Sequence, residues 1–168
     1  MIYWTMLEHH SLQFIIAATN DGLCFTGSLG KGVEELERWQ LRHYPHHALQ
    51  HAPNKMSVYA QQLTEYLQGE REHLTFAIEV DGTPFQRDVW HALQKVPYGE
   101  TRTYSDIAIA IQKPTAVRAV ASAIGANPVM IVIPCHRIIG KNGKLTGFRG
   151  GLLMKEHLLK IEGVSVKE

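Results

Sequence analysis

Hydrophobic and polar positions along the first 80 residues predict strands first and helices afterwards. Asn20-Asp21-Gly22 separates two segments rich in β-branched and aromatic residues, which is typical of a β-hairpin. Apolar residues at helical spacing then predict helices over 32–42 and 55–67, joined by a loop that contains Pro45. The predicted strands are 2–6, 12–19, 23–27 and 76–80. This part of the chain is therefore predicted to be a small α+β domain.

The rest of the chain is predicted to be mostly helical. Thr83 and Pro84 fit the cap and first turn of a helix whose apolar positions run from Phe85 to Leu93. An amphipathic pattern predicts a last helix over 152–161. The chain thus divides into a first domain over 1–80 and a second over 81–168.

Two short helices are predicted in the middle of the second domain. Ser105 can cap a helix over 106–111, and Thr115 can cap an alanine-rich helix over 116–124. Two short helices joined by a tight turn fit the helix-turn-helix of DNA-binding proteins. A plain helical hairpin explains the same pattern.

Composition is that of an ordinary globular protein. The 168 residues are 45% hydrophobic and 20% charged, and the longest apolar runs fall short of the roughly 18 residues that span a bilayer. The N-terminus has neither the basic nor the apolar region of a signal peptide, and two cysteines do not indicate a disulfide scaffold. We therefore expect a reduced cytoplasmic protein without a membrane partner.

The net charge of +1 conceals an asymmetry along the chain. Residues 1–100 contain 7 Lys/Arg and 12 Asp/Glu, whereas residues 101–168 contain 10 Lys/Arg and 4 Asp/Glu. A basic half points to a polyanion as partner, although a solvated charged surface would give the same count.

One thiol stands in a distinctive setting. In the stretch 131–139, Cys135 is followed directly by His136 and Arg137, with apolar runs on both sides. A free thiol has a pKa near roughly 8.5, and a cationic or basic neighbour enriches the nucleophilic thiolate. The apolar runs predict that Cys135 ends a buried strand. An inert core cysteine is the alternative.

Four histidines, at positions 43, 46, 47 and 51, form a sequence cluster that is suggestive of a metal site. Pro45 breaks the helix that would align them, so no metal is expected. Cys24 lies in a predicted apolar strand and is interpreted as a packing residue.

Several of these motifs occur together and in register. The resemblance is to the O6-alkylguanine-DNA alkyltransferases, and it covers roughly residues 82–163. The matching motifs are Tyr104, Arg118, Asn127-Pro128, Pro134-Cys135-His136-Arg137, Gly150-Gly151, Lys155-Glu156 and Glu162-Gly163.

The resemblance implies an α+β architecture and a partner. The expected fold is a ribonuclease-H-like α/β domain over 1–80 and a mostly helical domain with a winged-helix or helix-turn-helix motif over 81–168. Family members move an alkyl group from O6 of guanine, and less readily from O4 of thymine, onto their own cysteine, once per molecule and without a cofactor. A monomer acting on double-stranded DNA that contains O6-alkylguanine is therefore expected.

The resemblance also implies catalytic roles. Cys135 matches the nucleophile, His136 the base that takes its proton through a water, and Glu162 the carboxylate that orients this histidine. Asn127 matches the asparagine that fixes the hydrogen bonds beside the thiol, and Tyr104 a tyrosine that hydrogen-bonds the flipped base. Because the leaving guanine must be stabilised or protonated as the bond breaks, we expect Tyr104 to be the proton donor. The arrangement follows the nucleophile–base–orienter logic of hydrolytic triads.

Further residues are assigned to DNA and to the substrate pocket. Arg118 matches an arginine that fills the gap left by a flipped nucleotide, and Tyr104 assists the rotation. The remaining DNA contacts are expected from Thr103, Ala119 and Arg137, and the pocket is expected from Ile138, Phe148, Arg149 and Lys155. Arg149 stands where some relatives have a small residue, so it narrows the expected pocket against bulky O6-benzyl groups.

Three other functions compete with the transferase. A non-catalytic binder of alkylated DNA would share the fold but lack the reactive cysteine, which Cys135 supplies here. A transcription regulator leaves the register of Cys135, His136 and Glu162 unexplained, and a cysteine hydrolase leaves the basic half and Arg118 without a role.

Overall fold

The computed structural model describes residues 1–166 and divides the chain into two compact units. The first unit is Met1–Asp81, and the second begins at Gly82. The architecture is a small sheet unit followed by a mostly helical unit, which confirms the predicted α+β class.

The first unit contains a four-stranded sheet. The strands are β1 (Ile2–His9), β2 (Leu12–Thr19), β3 (Gly22–Thr26) and β4 (Leu49–His51). Their order across the sheet is β3-β2-β1-β4, and neighbouring strands pair antiparallel, except that β4 runs parallel to β1. The predicted hairpin turn is confirmed between β2 and β3.

The strand predicted at 76–80 is wrong. The segment makes only an isolated bridge between Ile78 and Leu23 of β3, while the unpredicted β4 pairs at the opposite edge of the sheet. Strand propensity depends on the available partner, and this segment reaches β3 over a single residue pair. A Cβ atom at Gly22, whose φ is +154°, would lie 2.7 Å from the carbonyl oxygen of Ala77. Glycine therefore permits the close approach.

Two helices complete the first unit. Helix α1 (Val33–His43) buries Leu36 in a core shared with Ile2, Ile15 and Phe25. A 3₁₀ turn over Pro53–Met56 precedes α2 (Ser57–Leu67), so the helix predicted from residue 55 begins later than expected.

The histidine cluster is spread over separate contacts. His43 Nδ1 lies 2.7 Å from Asp81, His47 packs edge-on to Tyr44, and the ring of His51 lies against Trp4. Within residues 1–166, no group of three or more His, Cys, Asp or Glu side chains is placed to hold a metal ion. Cys24 is fully buried in the core, which confirms its interpretation as a packing residue.

The second unit contains four helices and a two-stranded parallel sheet among the described residues. The elements are α3 (Pro84–Gln94), β5 (Arg102–Thr103), α4 (Tyr104–Ala110), α5 (Val117–Gly125), β6 (Ile138–Ile139) and α6 (Leu152–Ile161). Trp90 of α3 donates an indole hydrogen bond to the carbonyl of Ala123 in α5 at 2.8 Å, which links the two helices. A 3₁₀ turn at Cys135–Arg137 precedes β6.

One of three predicted helix caps is correct. Thr83 forms a reciprocal capping box with Gln86 at the start of α3, as its sequence predicts. Helix α4 is capped by Thr103 through a second capping box with Asp106, so the prediction of Ser105 is wrong. Helix α5 follows Ala116 and has no side-chain cap, so the prediction of Thr115 is also wrong.

In the part of the chain that the model describes, every helix is too short or too polar to cross a bilayer.

Candidate active site

The thiol of Cys135 lies at the start of a short turn inside the second unit. Its side chain is 4% exposed, and the Nδ2 atom of Asn127 donates a hydrogen bond to Sγ at 3.1 Å. Asn127 is itself held by a bond from Nδ2 to the carbonyl of Ile133 and by the amide of Val129, which donates to Oδ1. A fixed amide donor thus points at the sulfur.

The backbone before Cys135 is a tight turn rather than the buried strand that the sequence predicts. The amide of Ile133 donates to the carbonyl of Val129 at 3.0 Å, and the amide of Cys135 donates to Ile133 at 2.7 Å. Ile131 has φ of +78°, a costly conformation for a β-branched residue. The apolar run is buried because it folds into the core as a turn, so an apolar pattern alone does not distinguish it from a strand.

A buried histidine and carboxylate lie beside the turn. His136 Nε2 and Glu162 Oε2 are 2.7 Å apart, and both side chains are fully buried. The amide of Gly99 also donates to Glu162, at 3.0 Å. Glu162 therefore fixes the orientation of the imidazole, which is the contact that the family resemblance implies for this pair.

Arg137 completes this network through hydrogen bonds within the protein. Its Nε and Nη2 atoms donate to the two oxygens of Glu162 at 2.8 and 3.0 Å, and Nη1 donates to the carbonyl of Val96 at 2.6 Å. Arg137 is 8% exposed. Three protein acceptors occupy the guanidinium, so this geometry gives no support to the predicted DNA contact of Arg137, which stays a prediction.

Burial has opposite consequences for the two ionisable groups that would exchange a proton. Burial raises the pKa of the Cys135 thiol, while the Asn127 hydrogen bond and the charges of Arg149 and Lys155 oppose that rise. Burial lowers the pKa of His136, against the hydrogen bond and charge of Glu162. The cations that lower the thiol pKa, Arg149 and Lys155, are thus distant from Cys135 in the sequence. Arg137, which is close to Cys135 in the sequence, lowers the pKa of Glu162 instead.

Glu162 is held as a carboxylate. Burial acts against its ionisation, but hydrogen bonds from His136, Arg137 and Gly99 outweigh burial and keep its pKa far below the ordinary range. A charged Glu162 accepts the hydrogen on His136 Nε2, which leaves Nδ1 as the basic nitrogen of a neutral imidazole.

A cavity of about 290 Å³ opens next to the thiol. Arg149 forms one wall, and its guanidinium donates to the carbonyls of Asn127 and Pro128 at 3.1 to 3.3 Å. Ile138 is buried in β6 and is not among the cavity walls. The cavity is lined by Tyr104, Ala121, Ile124, Gly125, Asn127, Met130, Cys135, Gly147, Phe148 and Arg149.

Tyr104 and Lys155 meet at a residue that the sequence reasoning missed. The hydroxyls of Tyr104 and Thr146 are 2.6 Å apart, and Lys155 Nζ donates to Thr146 Oγ1 at 3.3 Å. Burial lowers the pKa of Lys155 to about 8. Thr146 stands in a glycine-rich loop without a motif of its own, so only its position between two predicted site residues could have indicated it.

The predicted DNA-contacting residues other than Arg137 lie outside the buried network. Arg118 and Ala119 are exposed on α5, and Thr103 is half-buried at the start of α4. Arg118 is the second residue of α5 and is exposed, so its side chain is available to a ligand.

Comparison with known proteins supports one chemistry for this geometry. Residues 84–164 match the family model of the 6-O-methylguanine DNA methyltransferase DNA-binding domain. The inducible methylated-DNA–protein-cysteine methyltransferase of Bacillus subtilis is 51% identical over 161 residues, which cover 96% of this chain and 90% of the relative. The chain belongs to the methylated-DNA–protein-cysteine methyltransferase family.

Two solved structures of family members from Mycobacterium tuberculosis have the same fold. OGT in complex with DNA has 34% identity and a TM-score of 0.82, and covers 95% of this chain and 92% of its own. An O6-methylguanine methyltransferase has 35% identity and a TM-score of 0.81, and the match covers 96% of this chain and 93% of that protein's chain. The family match includes Asn127, Cys135, His136 and Glu162, which the second unit brings together.

Proposed function

We propose that this protein repairs DNA by moving the alkyl group of O6-alkylguanine, and less readily of O4-alkylthymine, irreversibly onto Cys135. The observation that carries the proposal is the position of the thiol. In a chain of this family, Cys135 lies at the wall of a cavity, held by Asn127 and followed by the buried pair of His136 and Glu162.

The first step produces the thiolate. The thiol proton passes to His136 Nδ1 through a water, and the Glu162 carboxylate stabilises the imidazolium that results. Asn127 then donates a hydrogen bond to the charged sulfur. Because hydrogen bonds to charged groups contribute roughly 1.5–3 kcal/mol, this donor favours the reactive form.

The second step transfers the alkyl group. The sulfur attacks the alkyl carbon in line, the S–C bond forms as the C–O6 bond breaks, and the electron pair of the broken bond stays on guanine. Tyr104 donates a proton to the leaving base. Because the resulting thioether of Cys135 has no S–H to ionise and its S–C bond is not hydrolysed by water, the thiolate is not regenerated and each molecule acts once.

The reacting atom lies within a base pair, so the target nucleotide must leave the duplex. We assign Arg118 to the vacated stack, with Ala119 allowing close approach of α5 and with Thr103 and Tyr104 contacting the rotated strand. The cost of extrusion is a few kcal/mol and is least for a poorly paired base, which favours lesions.

The cavity walls define which alkyl groups fit. Phe148 and Arg149 line the cavity together with Cys135, whereas Lys155 and Ile138 are buried and are not among its walls. Arg149 is tied to two carbonyls, so its bulk stays in place. We expect methyl groups to be accepted and O6-benzyl groups to react slowly.

The finer architecture is part of the proposal. We assign a ribonuclease-H-like domain to residues 1–80 and a winged-helix DNA-binding domain to 81–168. We expect the protein to act as a monomer without a cofactor. The cytoplasm suits this chemistry because a thiol that acts once must stay reduced until it meets its substrate.

A stoichiometric assay tests the proposal. The protein is incubated with excess duplex that contains radiolabelled O6-methylguanine, and methyl transfer to protein is followed over time. A single burst that ends near one methyl group per protein supports the transferase. Tight binding of the lesion without transfer would favour the non-catalytic lesion binder, and repeated turnover would exclude a self-alkylating mechanism.

A further inference from the structure

Three polar side chains form a continuous chain of hydrogen bonds at one side of the cavity. Thr146 Oγ1 lies 2.6 Å from the hydroxyl of Tyr104 and 3.3 Å from Nζ of Lys155. Lys155 also donates to the backbone carbonyl of Thr146 at 3.4 Å and is only 1% exposed. Tyr104 lines the same cavity as Cys135. The chain therefore runs from a buried ammonium group to the substrate space.

The chemistry of the groups fixes the direction of one of these two bonds. An ammonium group has three donors and no acceptor, so Thr146 Oγ1 must accept from Lys155. Either hydroxyl of the Tyr104–Thr146 pair can be the donor of the other bond. When Thr146 donates, its oxygen still accepts from Lys155, and the hydroxyl hydrogen of Tyr104 is available to a group in the cavity.

We propose that Thr146 is a positioning residue, which polarises Tyr104 and aims its proton at the leaving guanine. The inference rests on the proposed transfer to Cys135 and adds a residue to it. When the C–O6 bond breaks, its electron pair stays on guanine and a ring nitrogen takes the Tyr104 proton. Thr146 returns a proton to Tyr104, Lys155 returns one to Thr146, and Lys155 ends as a neutral amine.

The setting of Lys155 suits the last transfer. Burial lowers its pKa to about 8, so giving up a proton near neutral pH requires little free energy. The charged or titratable groups that face it are Cys135, which acts to raise this pKa, and His136, whose own pKa the Lys155 charge lowers. A change at Lys155 would therefore disturb the nucleophile and its base, which makes Thr146 the cleaner position to test.

Thr146→Val and Thr146→Ser are the matched variants. Valine keeps the branched shape without the hydroxyl, whereas serine keeps the hydroxyl. In single-turnover transfer from an O6-methylguanine duplex, we expect Thr146→Val to be slower by about tenfold or more, since general acid catalysis contributes roughly 10²–10⁴-fold. Thr146→Ser should restore the rate to within about threefold of the wild type. Equal rates for Thr146→Val and the wild type would overturn the proposal.

A second methyl donor separates proton delivery from a structural effect. Iodomethane transfers a methyl group to a thiolate and releases iodide, which needs no proton. We expect Cys135 to be methylated by iodomethane at the same rate in the wild type and in Thr146→Val. A loss of the same size with iodomethane and with the DNA substrate would place the defect at the thiol or in the fold, and would also overturn the proposal.

The wild-type protein distinguishes failure of this inference from failure of the proposed function. If the wild type transfers the methyl group to Cys135 and Thr146→Val does so equally well, only the role of Thr146 is rejected. If the wild type transfers no methyl group from DNA but reacts with iodomethane, the proposed function is rejected and the role of Thr146 with it.

Discussion

At the scale of single residues, Glu162 is a buried carboxylate that several hydrogen-bond donors share. It accepts bonds from His136, Arg137 and the amide of Gly99 while fully buried. Its pKa lies below the ordinary value in the folded protein, so the unfolded chain takes up the proton first as the pH falls. The stability that Glu162 contributes is therefore complete above about pH 4.3 and is lost as the pH falls below that value.

Glu162→Gln tests this position. It leaves Arg137 buried without its counter-charge, so we expect the free energy of unfolding at pH 7 to fall by about 3 kcal/mol. Denaturant unfolding from neutral to acidic pH should show a weaker pH dependence than in the wild type. Glu156→Gln, at an exposed position on α6, is the control and should resemble the wild type. Parallel loss of stability in wild type and Glu162→Gln below about pH 4 would contradict the account.

The side-chain amide of Asn127 has an effect on the Cys135 thiol that a single substitution can test. Asn127→Ala removes the donor to Cys135 Sγ, so we expect the thiol pKa to rise further and transfer at pH 7 to slow about 10- to 100-fold. The check is the rate of Cys135 methylation by iodomethane as a function of pH, with circular dichroism to establish folding. A folded variant whose rate profile has an unchanged midpoint would show that Asn127 acts elsewhere.

The residue scale also shows where sequence reasoning stops. Cys135, His136, Asn127 and Glu162 were named from motifs, and the structure brings them together. The bonds of Arg137 to Glu162 were not predicted, because adjacency in sequence does not say which way a side chain points, and a 3₁₀ turn directs this one at Glu162. The motifs indicate which side chains form the site, whereas the 3₁₀ turn at Cys135–Arg137 determines which way each of them points.

At the scale of elements, helix starts were predicted least well. Ser105 and Thr103 are both good capping residues, but only Thr103 has an acidic residue three positions later, Asp106, that completes a capping box. The reciprocal pair was therefore readable from the sequence. The turn before Cys135 was not, because Ile131 adopts a positive φ that its residue type disfavours.

The capping box gives a prediction at this scale. Thr103→Ala removes the bond from the Asp106 amide, so we expect a loss of about 1 kcal/mol in the free energy of unfolding. Ser105→Ala is the matched control on the same helix, with an expected change within about 0.5 kcal/mol. Urea unfolding of both variants measures the difference. A larger loss in Ser105→Ala would move the cap to the position that the sequence alone suggests.

At the scale of the whole molecule, the charge asymmetry pointed to DNA but overstated the available charge. Ten Lys and Arg residues lie in 101–168, yet Arg137 and Lys155 are buried. Arg137 neutralises Glu162, and Lys155 donates to Thr146. A count of basic residues gives the sign of the field, whereas burial decides which of them can meet a phosphate.

Arg118 tests the DNA interface. If it fills the gap left by the flipped nucleotide, Arg118→Ala should slow transfer from a paired lesion by about tenfold and affect a single-stranded lesion much less. Lys31→Ala, an exposed residue of the first unit, removes the same charge and serves as control. Single-turnover rates on the two substrates give the comparison. Equal slowing on both would indicate general electrostatic attraction rather than extrusion.

The most direct test of the central claim is to find where the methyl group goes. Wild type, Cys135→Ala and Cys24→Ala are each reacted with an O6-methylguanine duplex and examined by peptide mass mapping. Because Cys24 is buried in the first unit with its pKa raised to about 12, Cys24→Ala should accept one methyl group on Cys135, as the wild type does. Cys135→Ala should accept none. A methyl group on any other residue, or none on the wild type, would contradict the account.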